Sequence, residues 1–420
     1  MPQQRARTVA VIGDGPAGTA AAVLLARAGL RVAIFSRGRP PALVVGESLV
    51  PAVIPILREL GVEDEVRAYS VFKPGATFTL GPGESIEIDF ATACTRVPRY
   101  AYNVPRDRFD ATLVGLCERS GAHVVHSPAR VERDPGAAGR VRLSDASLAA
   151  TGGFLAAQPD LVIDASGRSR LLARLLDLPT EAGARRDDAL FAHCEGVPLE
   201  REGHVHSDRL DHGWCWRIPL PGRVSLGLVM QPAVLRGHGD TAEAQYDAVL
   251  RSDSRLREIA PNAKRITPVV RYSNYQLTTL RGFGDGWALA GDAFGFIDPV
   301  FSSGLFLALD SARELAAAVI RGGDAVLRRY ERRHLRHLRA WRLAVSTFYD
   351  GRFFALLRMR DRAASHWMGR SLINPHLSRY LPRVFTGEGS ARRYEPWLLE
   401  LLSGAAAREP GVEQLAIRDC

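Results

Sequence analysis

A glycine-rich segment, GDGPAG at residues 13–18, constrains the fold more than any other part of the sequence. It follows an apolar run at Thr8–Ile12, which predicts a strand, and it opens a helix-forming run at Pro16–Ala28. A second apolar run at Arg31–Phe35 predicts the next strand. A strand, a tight glycine turn and a helix in this order are typical of the first βαβ unit of a dinucleotide-binding fold.

The residues of this turn have separate expected roles. Gly13 permits the sharp turn, Gly15 lets the backbone approach a pyrophosphate, and Gly18 allows helix and strand to pack closely. We expect these residues, with Ala17, to bind a pyrophosphate at the helix N-terminus, where free N–H groups and the helix dipole favour an anion. The motif by itself fits NAD and FAD equally well.

The second strand lacks the acidic residue that usually follows it and holds the adenosine ribose. Phe35 is followed instead by Ser36 and Arg37. We expect Ser36 to hydrogen-bond a ribose hydroxyl, and Arg37 either to contact adenine or phosphate or to be a surface residue. The sequence therefore predicts weakened binding of the adenosine half of a dinucleotide.

The composition is that of a globular protein with a basic surface. Of 420 residues, 46% are hydrophobic and 24% are charged, and the formal net charge is +9. Positive charge is concentrated at residues 328–339, where apolar residues keep helical spacing and predict an amphipathic helix with a basic face. We interpret the remaining charge as a solvated surface and expect no nucleic-acid partner.

Cysteine usage and hydropathy predict a cytoplasmic protein. The cysteines are odd in number and form no CxxC pair, so neither a disulfide framework nor a zinc site is indicated. Residues Met1–Thr8 are polar and no apolar run is long enough to cross a bilayer, so we expect no signal peptide and no membrane insertion. The cysteines are Cys94, Cys117, Cys194, Cys215 and Cys420.

Segments far apart in the sequence indicate FAD rather than NAD. They are GESLVP at 46–51, PRDRFD at 105–110, LVIDASG at 161–167 and GDAFGFIDP at 291–299, and in this order they resemble the para-hydroxybenzoate hydroxylase and halogenase superfamily. The resemblance implies that Arg106 contacts the cofactor and that Asp292 hydrogen-bonds the ribityl chain of FAD. It also implies cofactor contacts from Glu47, Ser48 and Pro299.

The same resemblance implies the fold, which is of the α/β class. A glutathione-reductase-like Rossmann FAD-binding domain is expected to interleave with an antiparallel-sheet substrate domain, and a helical C-terminal region follows. Period-two alternation from Phe72 to Phe90 and a strand-rich stretch from about 189 to 274 predict the antiparallel sheet. The expected boundaries are 1–70, 105–185 and 280–320 for the FAD-binding domain, 71–104 and 186–279 for the substrate domain, and 321–420 for the helical region.

A tryptophan pair resembles a motif of the flavin-dependent halogenases in particular. The segment GWCWRIP at 213–219 contains their WxWxIP pattern. On a strand, Trp214 and Trp216 point to one face and build an apolar wall. The resemblance implies that this wall keeps the substrate away from the flavin and prevents direct hydroxylation. By residue type alone, two such tryptophans are more often an ordinary core pair.

The segment FKPGATFTLG at 72–81 resembles the KxGAxFxWG pattern of halogenases that act on phenols or carrier-bound pyrroles, with Leu80 in place of the tryptophan. Lys73 is the catalytic lysine that this resemblance implies. An ammonium group can hydrogen-bond hypohalous acid, and an amine can be converted to a haloamine. By residue type alone a lysine is a solvated surface group.

The segment DPVFSSG at 298–304 resembles the halogenase segment at the start of a helix. Backbone N–H groups of Ser303 and Gly304 are the implied halide-binding groups. A serine here also suits a helix N-cap, and the two roles are compatible.

Together these motifs imply a phenol- or pyrrole-type halogenase that uses FADH2 and O2. The implied reaction is chlorination or bromination of an electron-rich aromatic substrate, free or bound to a carrier protein, through a flavin hydroperoxide and hypohalous acid guided by Lys73. Because no second nucleotide-binding motif is present, a separate flavin reductase is the expected source of FADH2. The alternatives are an aromatic hydroxylating monooxygenase and a flavoprotein maturation factor that binds an acidic partner through the basic helix.

A polar segment at 204–212 has the spacing of a weak metal site. His204 and His206 would share one strand face, but no third ligand is fixed by spacing, and we expect no metal. One histidine or aspartate of this segment remains an alternative base for a phenolic substrate.

Overall fold

The structure, a computed structural model, describes residues 6–38, 43–81, 83–365, 382–390, 392 and 394–417, with the backbone alone at 274, 275 and 360–365. Its strands are β1 (Thr8–Ile12), β2 (Arg31–Phe35), β3 (Val71–Lys73), β4 (Gly75–Gly81), β5 (Glu84–Asp89), β6 (Ala101–Asn103), β7 (His123–Val125), β8 (Val131–Arg133), β9 (Val141–Leu143), β10 (Leu161–Asp164), β11 (Thr180–Glu195), β12 (Val205–Leu210), β13 (Gly213–Leu220), β14 (Arg223–Met230), β15 (Lys264–Arg265), β16 (Val270–Thr279), β17 (Phe283–Gly284), β18 (Trp287–Leu289) and β19 (Gly295–Phe296).

Its helices are α1 (Pro16–Arg27), α2 (Ile54–Leu60), α3 (Glu63–Tyr69), α4 (Phe90–Ala93), α5 (Arg106–Arg119), α6 (Asp145–Ala149), α7 (Leu171–Leu175), α8 (Pro232–Arg236), α9 (Ala242–Ser252), α10 (Ser254–Ile259), α11 (Gly304–Arg321), α12 (Asp324–Tyr349), α13 (Arg352–Ser365), α14 (Pro382–Phe385), α15 (Tyr394–Ala406) and α16 (Val412–Leu415). Short 3-10 turns at Pro51–Val53, Gly167–Ser169, Gly291–Ala293 and Pro299–Phe301 connect several of them.

A parallel sheet forms the first layer, with strand order β17-β18-β10-β1-β2-β7 and only β17 antiparallel to its neighbour. β1 lies at its centre, where Val11 pairs with Ile163 on one side and Ile34 on the other. Strands covered on both faces are continuous apolar runs, as β1 is. The two first strands have the predicted bounds, and α1 ends at Arg27, one residue earlier than expected.

An antiparallel sheet forms the second layer, in the order β19-β16-β11-β14-β13-β12-β4-β5, with β15 paired to β11. One pair in it is parallel, β12 with β4. This pairing brings the segment around residue 73 beside the strands that carry the tryptophan pair. The expected α/β fold, with a Rossmann FAD-binding layer and an antiparallel sheet, is confirmed.

The strand-rich stretch expected at 189–274 is interrupted by helices, which corrects that expectation. α8, α9 and α10 lie between β14 and β15, and Thr241 and Asp253 cap the last two of them with their side chains. Leu235, Tyr246 and Leu256 from these helices pack on one face of the antiparallel sheet. The opposite face is thereby left to point toward the parallel layer.

The helical C-terminal region packs against the same core. α12 extends over 26 residues, well beyond the helix predicted at 328–339. Its exposed face carries Arg328, Arg329, Arg332, Arg336 and Arg339. No helix within the described ranges is long and apolar enough to cross a membrane.

The division into three modules stays a prediction that the strand order supports. Every strand of the parallel sheet falls within the segments assigned to FAD binding. β11 crosses the boundary placed at residue 185, and β19 lies in the third FAD-binding segment but pairs with β16 of the other sheet. The four cysteines that the structure describes are buried and free, and Cys420 lies outside the described residues.

Candidate active site

A deep cleft separates the two layers at the carboxyl ends of the parallel strands. It contains a cavity of about 150 Å³. Gly15 follows β1, Ala165 follows β10 and Asp292 follows β18, and all three line the cleft. Ligands of open α/β sheets bind at this edge, where the loops after the strands diverge.

The glycine-rich turn has the three geometries that its motif predicts. A Cβ on Gly13 would lie 2.5 Å from the carbonyl oxygen of Ala165, and one on Gly18 would lie 1.9 Å from the carbonyl oxygen of Gly13. A Cβ on Gly15 would meet no atom within 4 Å. Gly13 and Gly18 are therefore required for packing, whereas Gly15 leaves its backbone open to the cleft, as the approach of a pyrophosphate requires.

Arg106 and Asp292 lie on the wall of this cleft. The Arg106 guanidinium holds Asp110 through two 3.0 Å hydrogen bonds and donates to the Val45 carbonyl at 2.6 Å. Asp292 is partly open to the cleft, yet its enclosure by protein raises the pKa of the carboxyl to about 6, against the opposing pull of the Arg168 and Arg106 charges. A carboxyl and a guanidinium facing an open glycine turn fit the ribityl and pyrophosphate groups of FAD.

Glu47 and Ser48 also line the cleft, and each is fixed by a second side chain. Glu47 Oε1 lies 2.6 Å from Nε2 of His193, whose Nδ1 accepts a hydrogen bond from Arg223 at 3.0 Å. Because arginine only donates, the proton of neutral His193 lies on Nε2 and is directed at Glu47. His193 belongs to none of the motifs found in the sequence, so its contact with Glu47 was not predicted.

Two of the predicted adenosine contacts lie away from the lining of the cleft. Ser36 is buried at the end of β2 and donates its hydroxyl proton to Asp14 at 2.6 Å. Arg37 is exposed and hydrogen-bonds Ser169. Pro299, Ala17 and Gly304 do line the cleft.

The tryptophan pair forms one side of the cleft. Trp214 and Trp216 alternate on β13 and face the same way, with ring centroids 5.8 Å apart, while Cys215 between them points to the other face of the sheet. Gly227 lies opposite Trp216 on β14, where any Cβ would come within 2.1 Å of the indole ring. The indole therefore lies flat over the neighbouring strand because that position has no side chain.

Trp214 is held by a chain of buried hydrogen bonds. Its indole N–H donates to the hydroxyl of Tyr349 at 2.9 Å, and that hydroxyl donates to Asp298 at 2.8 Å. Asp298 also caps the turn at Pro299–Phe301 by accepting from the N–H of Val300. Tyr349 belongs to the last turn of α12, and no sequence motif pointed to it.

Lys73 lines a second, smaller cavity of about 20 Å³. This cavity shares Val205, Ser207, Val300 and Ser302 with the lining of the large cleft, so the two spaces adjoin. Its other walls are apolar and include Phe78 and Phe90 as well as Phe301 and Phe385. The structure thus places the lysine behind the wall of the cleft and not on the surface.

Lys73 is only 2% exposed, and its amine is hydrogen-bonded inside the protein. It donates to the hydroxyl of Ser48 at 2.8 Å and to the carbonyl of Leu49 at 2.9 Å, and it lies 5.4 Å from the ring centre of Phe90. Burial lowers the pKa of this amine to about 7, and no carboxylate among the described residues forms an ion pair with it. A group with this pKa exchanges between ammonium and amine near neutral pH.

The segment after β19 reaches the junction of the two cavities. Ser302, which lines both, has a left-handed φ of 56°. Such a conformation in a residue other than glycine is strained and often marks a functional site. Ser303 is fully buried, with a hydroxyl oxygen that has no hydrogen-bond partner within the described part of the chain. Gly304 begins the 18-residue helix α11 and faces the cleft.

The polar segment at 204–212 is built into hydrogen-bond networks. His204 lies 3.0 Å from the Thr77 hydroxyl, and Asp208 accepts two hydrogen bonds from the buried Arg217. Burial lowers the pKa of His206, and the positive charge of Arg217 lowers it further. Over the described ranges no group of three histidines, cysteines or acidic residues is arranged to hold a metal ion.

Comparison of the sequence with known proteins identifies halogenases and an FAD-binding domain. A family model described as tryptophan halogenase matches residues 84–352, and one described as FAD binding domain matches residues 6–151. Tryptophan 2-halogenase of Chondromyces crocatus is 29% identical over 81% of this chain and 67% of its own length. A 1H-pyrrole-2-carbonyl-[peptidyl-carrier protein] chlorinase of Pseudomonas fluorescens is 30% identical over 74% of this chain and 75% of its own.

Solved structures agree with the sequence relatives. The flavin-dependent halogenase CmlS superposes with a TM-score of 0.73 at 26% identity, over 97% of this chain and 77% of its own. The flavin-dependent brominase Bmp2 superposes with a TM-score of 0.73 at 20% identity, over 96% of this chain and all of its own (100%), and shares the fold.

Proposed function

The chain belongs to the tryptophan halogenase family of flavin-dependent enzymes, and on this premise we propose that it places chlorine or bromine on an electron-rich aromatic carbon, guided by Lys73. The adjoining cavities carry the proposal. One presents the residues that fit FAD, and the other holds a single buried amine.

When bound, reduced FAD would activate O2, which is the oxidant that converts halide to hypohalous acid. The overall balance is FADH2 + O2 + X⁻ + H⁺ → FAD + HOX + H2O, and then ArH + HOX → ArX + H2O. Gly15, Arg106 and Asp292 are the residues we assign to holding the cofactor in place. Each faces the cleft, and together they offer an anion site, a cation and a carboxyl.

Halide binding is assigned to the start of α11. The backbone N–H groups of Ser303 and Gly304 lie at the positive end of an 18-residue helix, where an anion is stabilised. A Cβ on Gly304 would meet no atom within 4 Å, so nothing on this residue blocks an ion from its backbone. The strained Ser302 sets the direction in which these N–H groups point.

The indoles of Trp214 and Trp216 separate the substrate from the cofactor in this scheme. They line the cofactor cleft and are buried, so an aromatic substrate on the far side does not reach the flavin. Direct hydroxylation is thereby prevented, and only a small oxidant passes to the second cavity.

Lys73 then acts on that small oxidant in the second cavity. Its nitrogen donates hydrogen bonds to Ser48 and Leu49, which fixes the direction of the third N–H bond of the ammonium or of the lone pair of the amine. As an ammonium it donates a hydrogen bond to HOX. As a neutral amine it attacks the halogen, with loss of water, and becomes a haloamine. In either form the apolar walls keep the electrophile from bulk water until it meets the aromatic carbon.

The substrate is an electron-rich aromatic molecule, free or attached to a carrier protein. The chlorinase relative from Pseudomonas fluorescens acts on a carrier-bound pyrrole. In this chain the exposed arginines of α12 present a basic surface that suits the acidic surface of a carrier. A separate flavin reductase supplies FADH2.

The test is reconstitution of the full chain with FAD, a flavin reductase, NADH, O2 and either chloride or bromide. Monochlorodimedone and a panel of phenols and pyrroles serve as acceptors, and mass spectrometry identifies products. Halogenated product that depends on both halide and reductase is expected. Hydroxylated product in place of halogenated product would overturn the proposal in favour of a monooxygenase.

A second measurement tests the lysine. Lys73 and Lys264 are the two lysines of the sequence, so a haloamine formed without acceptor is assignable by peptide mapping. Lys264→Met, at an exposed position, serves as the matched control. Halogenation that persisted in Lys73→Met would remove Lys73 from its assigned role.

A further inference from the structure

The end of β2 is in direct contact with the glycine-rich turn. The N–H of Gly13 donates to the carbonyl of Phe35 at 3.0 Å. Asp14, the next residue of the turn, extends its carboxylate over the strand end and accepts the Ser36 hydroxyl proton at 2.6 Å. A carboxylate therefore occupies the neighbourhood from which the usual acidic residue after β2 is missing.

The side chains of Ser36 and Asp14 differ in the hydrogen bonds that they can still make to a ligand. The Ser36 hydroxyl has one proton, which it gives to Asp14, and its oxygen already accepts the N–H of Gly38 at 3.1 Å. It therefore has no proton to offer a ligand. Within the described part of the chain, the bond from Ser36 is the one hydrogen bond made to Asp14, so Oδ1 and its lone pairs remain free. Asp14 is half-buried, so part of this residue is accessible from outside the protein.

Arg37 does not compensate for the missing acid. It is exposed and donates to the Ser169 hydroxyl at 2.5 Å. Ribose hydroxyls are donors that need an acceptor, and an ionised carboxylate is the strongest acceptor among side chains.

We propose that Asp14 is the residue that binds the adenosine ribose of FAD, by accepting hydrogen bonds from its 2′- and 3′-hydroxyls, and that Ser36 is the positioning residue that orients Asp14. The acidic group has in effect moved from the end of β2 to the glycine turn. The inference rests on FAD binding and is independent of whether the enzyme halogenates its substrate.

The test measures FAD affinity rather than turnover. The purified full chain is stripped of flavin and titrated with FAD and with FAD whose adenosine lacks the 2′- and 3′-hydroxyls, with flavin fluorescence as the readout. Asp14→Ala is expected to weaken FAD binding by roughly tenfold to a hundredfold, the effect of losing a charge-assisted hydrogen bond. The dideoxy analogue is expected to bind the wild-type chain and Asp14→Ala with equal affinity.

Two further variants exclude a simple disruption of the turn. Asp14→Ala combined with Ser36→Glu returns a carboxylate to the end of β2 and is expected to recover most of the lost affinity. Asp240→Asn removes an exposed carboxylate on the turn before α9 and is expected to leave FAD affinity unchanged. An equal loss for FAD and for the dideoxy analogue, or FAD affinity in Asp14→Ala within twofold of wild type, would overturn the proposal. A wild-type chain that bound neither flavin would contradict FAD binding itself.

Discussion

The amine of Lys73 lies 2.8 Å from the hydroxyl of Ser48, and this contact joins the two cavities of the enzyme. Ser48 lines the cofactor cleft, whereas Lys73 lines the smaller cavity behind it. The bond therefore ties the position of the buried amine to the segment that borders the flavin.

Replacing Lys73 by methionine is expected to abolish halogenation while leaving flavin oxidation intact. Methionine fills a similar volume, so the apolar cavity is preserved, but no N–H bond or amine remains to hold the oxidant. We expect at least about a hundredfold loss of halogenated product, in line with the loss of a proton-donating catalytic group. Product yield per NADH consumed is the measurement. Lys264→Met should match wild type, and an unchanged yield in Lys73→Met would contradict the assignment.

The same replacement is expected to stabilise the fold in a pH-dependent way. Burial lowers the pKa of Lys73 from 10.5 to about 7, so between these values the unfolded chain binds a proton that the folded chain does not. The free energy of unfolding of the wild type therefore rises with pH across this window, and the penalty is complete below about pH 7.

At pH 7 we expect Lys73→Met to be more stable than wild type by on the order of a few kcal/mol, since each unit of pKa shift corresponds to about 1.4 kcal/mol. The difference should shrink steadily toward pH 10. Urea denaturation at pH 6, 8 and 10 measures it, with Lys264→Met as the control. A stability difference that did not vary with pH would show that the amine is not desolvated.

Tyr349→Phe is expected to disturb both the tryptophan wall and the turn before α11. Loss of the hydroxyl leaves the Trp214 N–H without its acceptor and removes a donor from Asp298, at a cost of about 2–4 kcal/mol. Because Asp298 caps the turn that leads to Ser302, we expect the KM for halide to rise several-fold more than kcat falls.

Tyr330→Phe provides the matched control for that variant. Its buried hydroxyl donates to the Leu289 carbonyl at 2.6 Å, remote in sequence from the tryptophan strand. It should lose stability without a change in the halide KM. Equal effects of both variants on the halide KM would assign Tyr349 a merely structural role.

Gly227→Ala is expected to displace the indole of Trp216. The new methyl carbon would lie 2.1 Å from the ring, so the ring must rotate into the cleft or the strands must separate. A loss of about 1–3 kcal/mol is expected from such overpacking, with a larger fraction of flavin oxidation that yields no halogenated product. Thermal denaturation and the ratio of product to NADH measure these effects.

Gly81→Ala is the control for the glycine variant. Gly81 also lies on a strand of the same sheet, but a Cβ there meets no atom within 4 Å. The thermal stability of Gly81→Ala and its ratio of halogenated product to NADH consumed should equal those of the wild type. If Gly227→Ala kept the wild-type ratio of halogenated product to NADH consumed, the position of Trp216 would not control access to the cofactor.

Local patterns in the sequence were sufficient for much of the fold. The bounds of β1 and β2 follow from uninterrupted apolar runs, and the turn between β1 and α1 follows from the glycine motif, in which Gly13 and Gly18 have no room for a side chain. The strand bounds depend on residues close in the chain, whereas the requirement for glycine at position 13 also comes from Ala165, which follows β10. The interrupted stretch between β14 and β15 was misjudged because short helices that cover a sheet have no long apolar period.

The motifs of the sequence were enough to indicate FAD and the halogenase family, because each motif is a short segment that is recognisable without knowledge of its neighbours in space. The burial of Lys73 and the lowered pKa of its amine could be known only from the three-dimensional structure, because the cavity walls come from strands and helices far apart in the chain. The tertiary structure also decided that Asp14 meets Ser36 and that Tyr349 meets Trp214, contacts between residues separated by 22 and 135 positions. The first contact depends on the pairing of β1 with β2, and the second depends on how α12 packs against the antiparallel sheet. No local pattern of side chains encodes either arrangement.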